Sequence, residues 1–198
     1  LREKGLVSPA EGVRVTLAPA DETLYTFNHA LTREIAYATI ARTRRAHEHE
    51  RVAEWMEAQA AGREEELAEA LAQHFRQYYV QANLARARNS GRRQAVRAKV
   101  LRYLGLAGDQ ALARHAALKA ESYFTDAIVL LEEEADAEDL SLLADSYHRR
   151  GDARWMALRA DDAWADYAEA LRCWLQAHQP ATAAAEWAPA SPATQPPT

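Results

Sequence analysis

The sequence is poor in residues that cross-link a chain or interrupt a helix. Its 198 residues include one cysteine, Cys173, which excludes an internal disulfide and indicates a reducing compartment. Glycine is scarce, at 7 residues, and no apolar run reaches the roughly 18 residues of a membrane span. We therefore expect a cytoplasmic protein with no membrane partner. The chain begins at Leu1 rather than at Met, and we interpret it as a piece of a longer protein.

Acidic residues are missing from one stretch, although the formal net charge is -5. No Asp or Glu occurs between Glu69 and Asp109, and five arginines in this stretch are candidate partner-binding residues: Arg86, Arg88, Arg92, Arg93 and Arg97. They form either a surface for nucleic acid or another anionic partner, or the solvated face of an amphipathic helix that buries Val100 and Tyr103. We favour the second interpretation and do not expect nucleic-acid binding.

No group of residues supports catalysis by this chain. His47 and His49 are two positions apart and point about 200° away from each other on a helix, whereas a zinc-protease helix needs histidines four apart. His49 and His74 instead lie on apolar helix stripes, as packing histidines do. No phosphate-binding loop is present either. We expect a chain that is not an enzyme and that holds no metal or cofactor by itself.

Helical periodicity dominates from Asn28 to about His178. Ala120, Phe124, Ala127 and Leu131 form one typical apolar stripe. Before this region, alternating residues predict strands at 13–17 and 24–27, that is, a small hairpin over about 13–27. After it, residues 179–198 contain five of the seven prolines and too little apolar surface to fold alone.

Two segments, 107–131 and 150–174, align without a gap 43 residues apart, with Gly108 matching Gly151 and Phe124 matching Tyr167. Small residues let helix axes approach and the aromatic residue fills the space between helices, so the copies should stack. The pattern resembles the tetratricopeptide repeat, and a third, divergent copy is expected at 65–103. Departures from the family occur where arginine or alanine replaces its usual leucine and tyrosine: Ala107, Ala111, Arg150 and Arg154.

Asn28 and His29 stand where the strand pattern changes to the helical one. Asn28 is a favoured N-cap that would accept a hydrogen bond from a first-turn amide. His29 would then occupy the first turn, where unpaired amides and the helix dipole favour an anion. The two residues are therefore candidates for contact with a nucleotide phosphate.

The segment 24–57, LYTFNHALTREIAYATIARTRRAHEHERVAEWME, resembles the pattern F-x-H-A-L-x-R-E-x-A-Y…R-R…H…V-A-E of STAND signalling ATPases, in particular bacterial branches linked to nucleotide cyclases or transcription regulators. The matching residues are Phe27, His29, Ala30, Leu31, Arg33, Glu34, Ala36, Tyr37, Arg44, Arg45, His49, Val52, Ala53 and Glu54. In that family a winged-helix module follows the ATPase core and leads into helical repeats. His29 is similar in position to the histidine of the family's nucleotide-sensing motif, although Asn28 and Ala30 depart from the motif's flanking residues.

The expected fold is therefore all-α, a tetratricopeptide-like array preceded by a winged-helix remnant. We predict the end of the winged helix at 1–60 (helices about 29–60), the repeats at 61–178 and a proline- and alanine-rich, disordered tail at 179–198. The resemblance implies a non-catalytic sensor arm whose missing N-terminal core uses ATP/ADP and whose repeats bind a protein or small molecule. The alternatives are a self-contained protein-binding adaptor and, less favoured, nucleic-acid contact through the wing and arginine face.

Overall fold

A computed structural model describes residues 5–9, 25–60, 62–84, 90–133 and 139–178 of the chain. These residues are mostly helical and include one small antiparallel pair of strands, which confirms the all-α class. The chain divides into two compact units, Leu1–Arg114 and His115–Thr198. Within the described ranges, no helix has the length and apolar character needed to cross a bilayer. The predicted strand at 13–17 and the predicted tail at 179–198 lie outside the described residues.

The first unit contains two short strands followed by helices. The strands are β1 (Val7–Pro9) and β2 (Tyr25–Phe27), and the helices are α1 (Ala30–Thr39), α2 (Arg42–Ala60), α3 (Ala68–Leu84) and α4 (Ser90–Ala113), with a 3₁₀ turn at Glu64–Leu67. Helix α3 packs between α2 and α4. Its stripe residues Leu71 and Phe75 are buried, and the Phe75 ring stacks on Tyr103 of α4 at 5.8 Å between centroids. The predicted apolar faces of α3 and α4 thus form the core of this unit.

The second unit contains α5 (Ala117–Glu133), α6 (Asp139–Met156) and α7 (Ala160–Ala177), and α6 packs against both of the others. The predicted stripe of α5 is buried at Ala120, Phe124, Ala127 and Leu131. Alanine dominates the facing positions, since Ala144, Ala153, Ala163 and Ala170 are each 0% exposed. Small side chains at these contacts allow the helix backbones to approach closely, as the repeat pattern predicts.

The strand pair differs from the predicted hairpin. The strand predicted at 24–27 forms β2, but its partner is β1, with Val7 opposite Phe27 and Pro9 opposite Tyr25. The first strand therefore comes from Val7–Pro9, where no strand was predicted. The backbone amide of Asn28 donates to the carbonyl of Leu6 at 3.1 Å and extends this pairing to the start of the helices. Whether the pair belongs to a winged helix stays a prediction.

The second repeat copy, 150–174, lies wholly in the second unit, and its small residue Gly151 lies against its aromatic residue Tyr167. A Cβ added to Gly151 would lie 2.5 Å from Cε1 of Tyr167, so only glycine fits beneath that ring. The turns at equivalent positions of the two copies also match, because His115 and Leu158 have φ values of 59° and 61°. This agreement is local. The repeat type and the stacking of the first copy, which crosses from one unit to the other, stay predictions.

Arg150 and Arg154, two of the four departures from the repeat pattern, form ion pairs inside the second unit. Arg150 makes two hydrogen bonds to the buried carboxylate of Asp166, at 2.7 and 2.9 Å. Arg154 lies 2.9 Å from the same carboxylate and donates at 2.8 Å to Glu121 of α5. Arg150 and Arg154 thus connect all three helices of the second unit by charge.

We predict opposite effects for two glycine substitutions in helix interiors. Gly151→Ala should destabilise the protein by about 1 to 3 kcal/mol, because the added methyl group displaces a Tyr167 ring that also donates a hydrogen bond to Asp152. Gly105→Ala, in α4, meets nothing within 4 Å and should stabilise by about 0.5 to 1 kcal/mol through reduced chain entropy. Urea unfolding followed by circular dichroism measures both, and equal effects of the two variants would contradict the assigned contact.

Candidate functional site

The junction between β2 and α1 holds the two residues that the sequence singles out, Asn28 and His29. Asn28 is not the N-cap that we predicted. Its side-chain oxygen accepts a hydrogen bond from Ser8 Oγ at 2.6 Å, and its amide nitrogen donates to the carbonyl of Gly5 at 2.8 Å. The physical reason is that two sets of partners compete for the Asn28 side chain. Ser8 and Gly5 bind it, so it does not reach the first-turn amides of α1. Asn28 therefore fastens the amino-terminal segment to the start of α1.

His29 occupies the N-cap position that was predicted for Asn28. Its backbone is extended, with φ -135° and ψ 131°, and its side chain makes no capping hydrogen bond. His29 is exposed, and it precedes a first turn of α1 that contains no acidic residue. The histidine is thus one position earlier than expected, outside the first turn, but its side chain is accessible to a partner.

A shallow groove of about 380 Å³ runs beside this junction. Its lining residues are Tyr25, Thr26, Phe27, Ala30 and Arg33. The guanidinium of Arg33 gives the groove a positive charge, and the aromatic residues of β2 give it an apolar wall.

Helix α1 is unusual because it contains no buried residue. Leu31 is 67% exposed and Ile35, one turn later, is 58% exposed. Residues four positions apart lie on one face of a helix, so these two side chains form a continuous apolar surface. We call Leu31 and Ile35 the α1 apolar face.

The far end of α1 is connected to α2 and α3 by a chain of hydrogen bonds. The hydroxyl of Tyr37 lies 2.9 Å from Nε2 of His49, and Nδ1 of His49 lies 3.0 Å from Nδ1 of His74. The guanidinium of Arg45 also lies over the Tyr37 ring, 4.9 Å from its centroid. Three helices therefore meet at this tyrosine–histidine chain, which consists of Tyr37, His49 and His74.

The surroundings of the two histidines favour their neutral forms. Burial lowers the pKa of His49 from the ordinary value of 6.5, and the charges of His74 and Arg45 lower it further. Burial also lowers the pKa of His74. Two neutral rings share a single hydrogen between their Nδ1 atoms, whereas two protonated rings would bring two donors face to face. The tyrosine–histidine chain is therefore stable only while at least one of the two histidines is neutral.

Of the candidate partner-binding arginines that the structure describes, Arg92 is half exposed and forms ion pairs with α2, and Arg97 is buried. Arg92 donates to Glu50 at 2.7 Å and to Glu54 at 3.3 Å, and Glu50 is buried. Arg97 is only 3% exposed. The arginines at 86 and 88 lie outside the described residues, and the side chain at 93 is not described. Charges of the acid-free stretch thus help to hold α4 against α2.

Five aromatic rings in the second unit contact one another in series along α6 and α7. They are Trp155, Trp164, Tyr167, His148 and Trp174, with 5.5 to 6.5 Å between successive ring centroids. Trp155 and Trp164 are 55% and 64% exposed, respectively. We call this set the aromatic row. Contiguous exposed aromatic surface of this kind is typical of an interaction site.

Comparison with known proteins gives no relative for this chain. No protein-family model matches it, and neither a curated protein nor a solved structure matches it. Among the described residues, no group of three or more His, Cys, Asp and Glu side chains is arranged to hold a metal ion.

The tyrosine–histidine chain and the aromatic row were not predicted from the sequence. His49 and His74 were each assigned to an apolar stripe, and packing of those stripes against each other was the available signal for their contact. The residues of the aromatic row lie on two helices, α6 and α7, so the apolar pattern of one helix does not predict their contact. Its signal was the concentration of three of the five tryptophans between residues 155 and 174.

The tyrosine–histidine chain predicts a loss of stability at mildly acidic pH. Because the folded protein keeps both rings neutral to a lower pH than the unfolded chain does, unfolding takes up protons below about pH 6.5. The two histidines make their full contribution to the free energy of unfolding above about pH 6.5. That contribution is lost as the pH falls below 6.5 toward their lowered pKa values in the folded protein. Urea unfolding between about pH 7.5 and pH 5.5 should therefore show a steeper loss for the wild type than for His49→Gln/His74→Gln.

The matched control is His47→Gln, which removes an exposed histidine from the same helix and should keep the wild-type pH dependence. Carboxylates that titrate in this range affect all three proteins equally. The difference between the slopes of unfolding free energy against pH therefore reports the effect of His49 and His74 alone. Identical slopes for the wild type and the double variant would show that the two histidines titrate alike in the folded and unfolded states.

Proposed function

We propose that the chain is the non-catalytic regulatory arm of a STAND-type signalling ATPase. In this role it couples the binding of a ligand or partner by its helical units to the nucleotide state of an ATPase core elsewhere in the same protein. The observation that carries the proposal is the exposure of α1, whose Leu31 and Ile35 face solvent while its far end is attached through Tyr37. Burial of one such side chain contributes about 1.5 to 3 kcal/mol, enough to drive docking on another surface.

The resemblance in segment 24–57 supports this assignment through residues that contact one another. Tyr37, Arg45 and His49 belong to the pattern shared with the signalling ATPases, and they meet at the end of α1. Phe27 and Arg33 also belong to it, and both line the groove at the other end. Residues of the pattern thus lie at both ends of the same helix, which is expected if the pattern maintains the position of α1.

The mechanism is a docking equilibrium of α1. In the closed state the α1 apolar face packs on the ATPase core, with His29 and Arg33 directed to the phosphates of bound ADP. In the open state the helix leaves the core but stays attached to α2 and α3 through Tyr37. Ligand binding by the helical units shifts this equilibrium only if the ligand has different affinities for the two states.

A protein-binding adaptor is the second candidate, and the aromatic row favours it. Trp155 and Trp164 give the second unit an interaction surface that requires no ATPase. In an adaptor His29 is structural and nucleotide has no effect. We do not propose nucleic-acid binding, because Arg92 interacts with two glutamates and Arg97 is buried.

The proposal predicts that Leu31→Asp in the complete protein releases α1 from the core. Loss of the burial of one leucine should shift the closed-to-open equilibrium by roughly 10- to 100-fold, seen as faster basal ATP hydrolysis and less retained ADP after purification. His29→Ala should likewise reduce the retained ADP. The controls are Leu118→Asp, which changes a leucine of α5 that is 73% exposed, and His47→Ala on α2. Both controls should behave as the wild type does.

Three results would separate the candidates. ADP loss in Leu31→Asp and His29→Ala, but not in the controls, supports the regulatory arm. Nucleotide bound equally by all the variants supports the adaptor and contradicts a role for α1. A complete protein that binds no adenine nucleotide would refute the ATPase assignment itself.

A further inference from the structure

Two exposed tryptophans of the aromatic row lie at right angles to each other, one at the end of α6 and one near the start of α7. The rings of Trp155 and Trp164 are inclined by 81°, with 6.5 Å between their centroids. Although the two rings are neighbours, more than half of each side chain is open to solvent. We call this pair of rings the aromatic corner.

The angle and the spacing of the aromatic corner suit a cation. A cation is attracted to the face of an aromatic ring within about 6 Å of its centroid, and tryptophan attracts it most strongly. A cation that lies about 4.5 Å from each of two perpendicular ring faces requires centroids about 6.4 Å apart. Trp155 and Trp164 match that separation at 6.5 Å. The pair therefore has the dimensions of a cation site with two aromatic walls.

Tyr167 holds one wall of the aromatic corner in place. Its ring lies so close to Gly151 that an added Cβ would be 2.5 Å from Cε1, and its hydroxyl donates to Asp152 at 3.1 Å. Trp164 packs against this ring at 83°, with 5.8 Å between centroids. Because Tyr167 is fixed on two sides, Trp164 is already positioned before a ligand arrives, which lowers the entropic cost of binding.

Carboxylates flank the aromatic corner on both helices. Asp152 precedes Trp155 by three residues, and Asp161 precedes Trp164 by three. Residues three apart are neighbours on a helix surface, so each tryptophan has a carboxylate beside it. Asp152 also lies 4.0 Å from Arg149, whereas no ion pair joins Asp161 to another described residue. The charge of Asp161 is therefore available to a positive ligand.

The arginines closest in sequence to the two tryptophans are paired with other carboxylates. Arg159 pairs with Asp162 and with Glu121, and Arg154 also pairs with Glu121. Residues 139–178 as a whole carry seven acidic side chains and five arginines. The surroundings of the aromatic corner thus favour a cation over an anion.

We propose that the aromatic corner binds a methylated ammonium group, as found in choline and in trimethyl-lysine. A plain ammonium group is strongly hydrated and gives up that hydration when it meets aromatic rings, whereas methyl groups weaken the hydration and keep the charge. With two walls that stay partly open, the corner should bind a lone quaternary ammonium with a dissociation constant on the order of 1 mM. The proposal goes beyond both functions considered above and depends on neither, because it concerns contacts within the second unit alone.

Choline and its uncharged analogue dimethylbutanol, in which carbon replaces the charged nitrogen, test the proposal on the full 198-residue chain. Choline should shift the indole N–H NMR signals of Trp155 and Trp164. The analogue has the same shape, and without the charge it should bind about 5- to 30-fold more weakly. Equal binding of the two molecules would overturn the proposal, because apolar contact alone would then explain it. No shift at about 10 mM choline would also overturn it.

Substitutions test the rings and the charge separately. Trp155→Leu and Trp164→Leu keep an apolar side chain but remove an aromatic face, so each should weaken choline binding by about fivefold or more. Asp161→Asn should weaken it by about two- to threefold. The matched controls are Trp55→Leu, which changes a tryptophan of α2 that is 40% exposed, and Asp145→Asn, about 15 Å along α6 from Trp155. Both controls should bind choline as the wild type does.

Unchanged far-ultraviolet circular dichroism would show that the variants fold. Wild-type affinity for choline in both Trp155→Leu and Trp164→Leu would contradict the assignment of the site to these rings.

A peptide that contains trimethyl-lysine distinguishes the two sources of the methylated ammonium group. If the peptide binds about tenfold or more tightly than choline, the natural ligand is a methylated protein segment, because contacts of the peptide add to those of the ammonium group. Similar affinities of peptide and choline identify a small molecule as the ligand. The same peptide with an unmodified lysine should bind more weakly, and equal binding of the two peptides would overturn the proposal.

Discussion

The hydrogen bond between Tyr37 and His49 determines how helix α1 relates to the rest of the first unit. Helix α1 has no buried residue, so its position depends on contacts at its two ends rather than on a core. A hydrogen bond contributes about 0.5 to 1.5 kcal/mol and an exposed cation–π contact about 0.5 to 1 kcal/mol. The core beneath, where Phe75 stacks on Tyr103, is much more costly to open. Helix α1 can therefore move without unfolding the helices to which it is attached.

Charge and apolar surface are distributed in a way that composition alone does not suggest. The arginines of the acid-free stretch resemble a site for a polyanion, yet Arg92 pairs with glutamates of α2. In the second unit Arg150 and Arg154 likewise converge on the buried Asp166. Much of the positive charge is used inside each unit, while leucine and tryptophan side chains face solvent on α1 and α7. Both units therefore expose apolar surface, on α1 and on α7.

The sequence predicted the features that depend on local spacing. Helix periodicity identified the buried face of α4, and the repeat alignment matched Gly151 with Gly108 and Tyr167 with Phe124, but it did not predict that Gly151 lies against Tyr167. The N-cap prediction for Asn28 was wrong because its partners, Gly5 and Ser8, come from the segment around β1, a strand that the local pattern did not reveal. The His49–His74 contact joins residues 25 positions apart, and it depends on the rotation of α2 against α3. Propensity and spacing do not fix that rotation.

Proton positions in the tyrosine–histidine chain explain why the attachment of α1 is robust near neutral pH. If His49 donates from Nδ1 to His74, its Nε2 accepts a hydrogen bond from the Tyr37 hydroxyl. If His74 donates instead, His49 donates from Nε2 and the hydroxyl oxygen accepts. One added proton makes His49 a donor at both nitrogens and still preserves the two contacts. Only a second proton places two donors at 3.0 Å and breaks the His49–His74 contact. Even then Nε2 of His49 donates to the Tyr37 hydroxyl, so the contact that holds α1 is available in every protonation state.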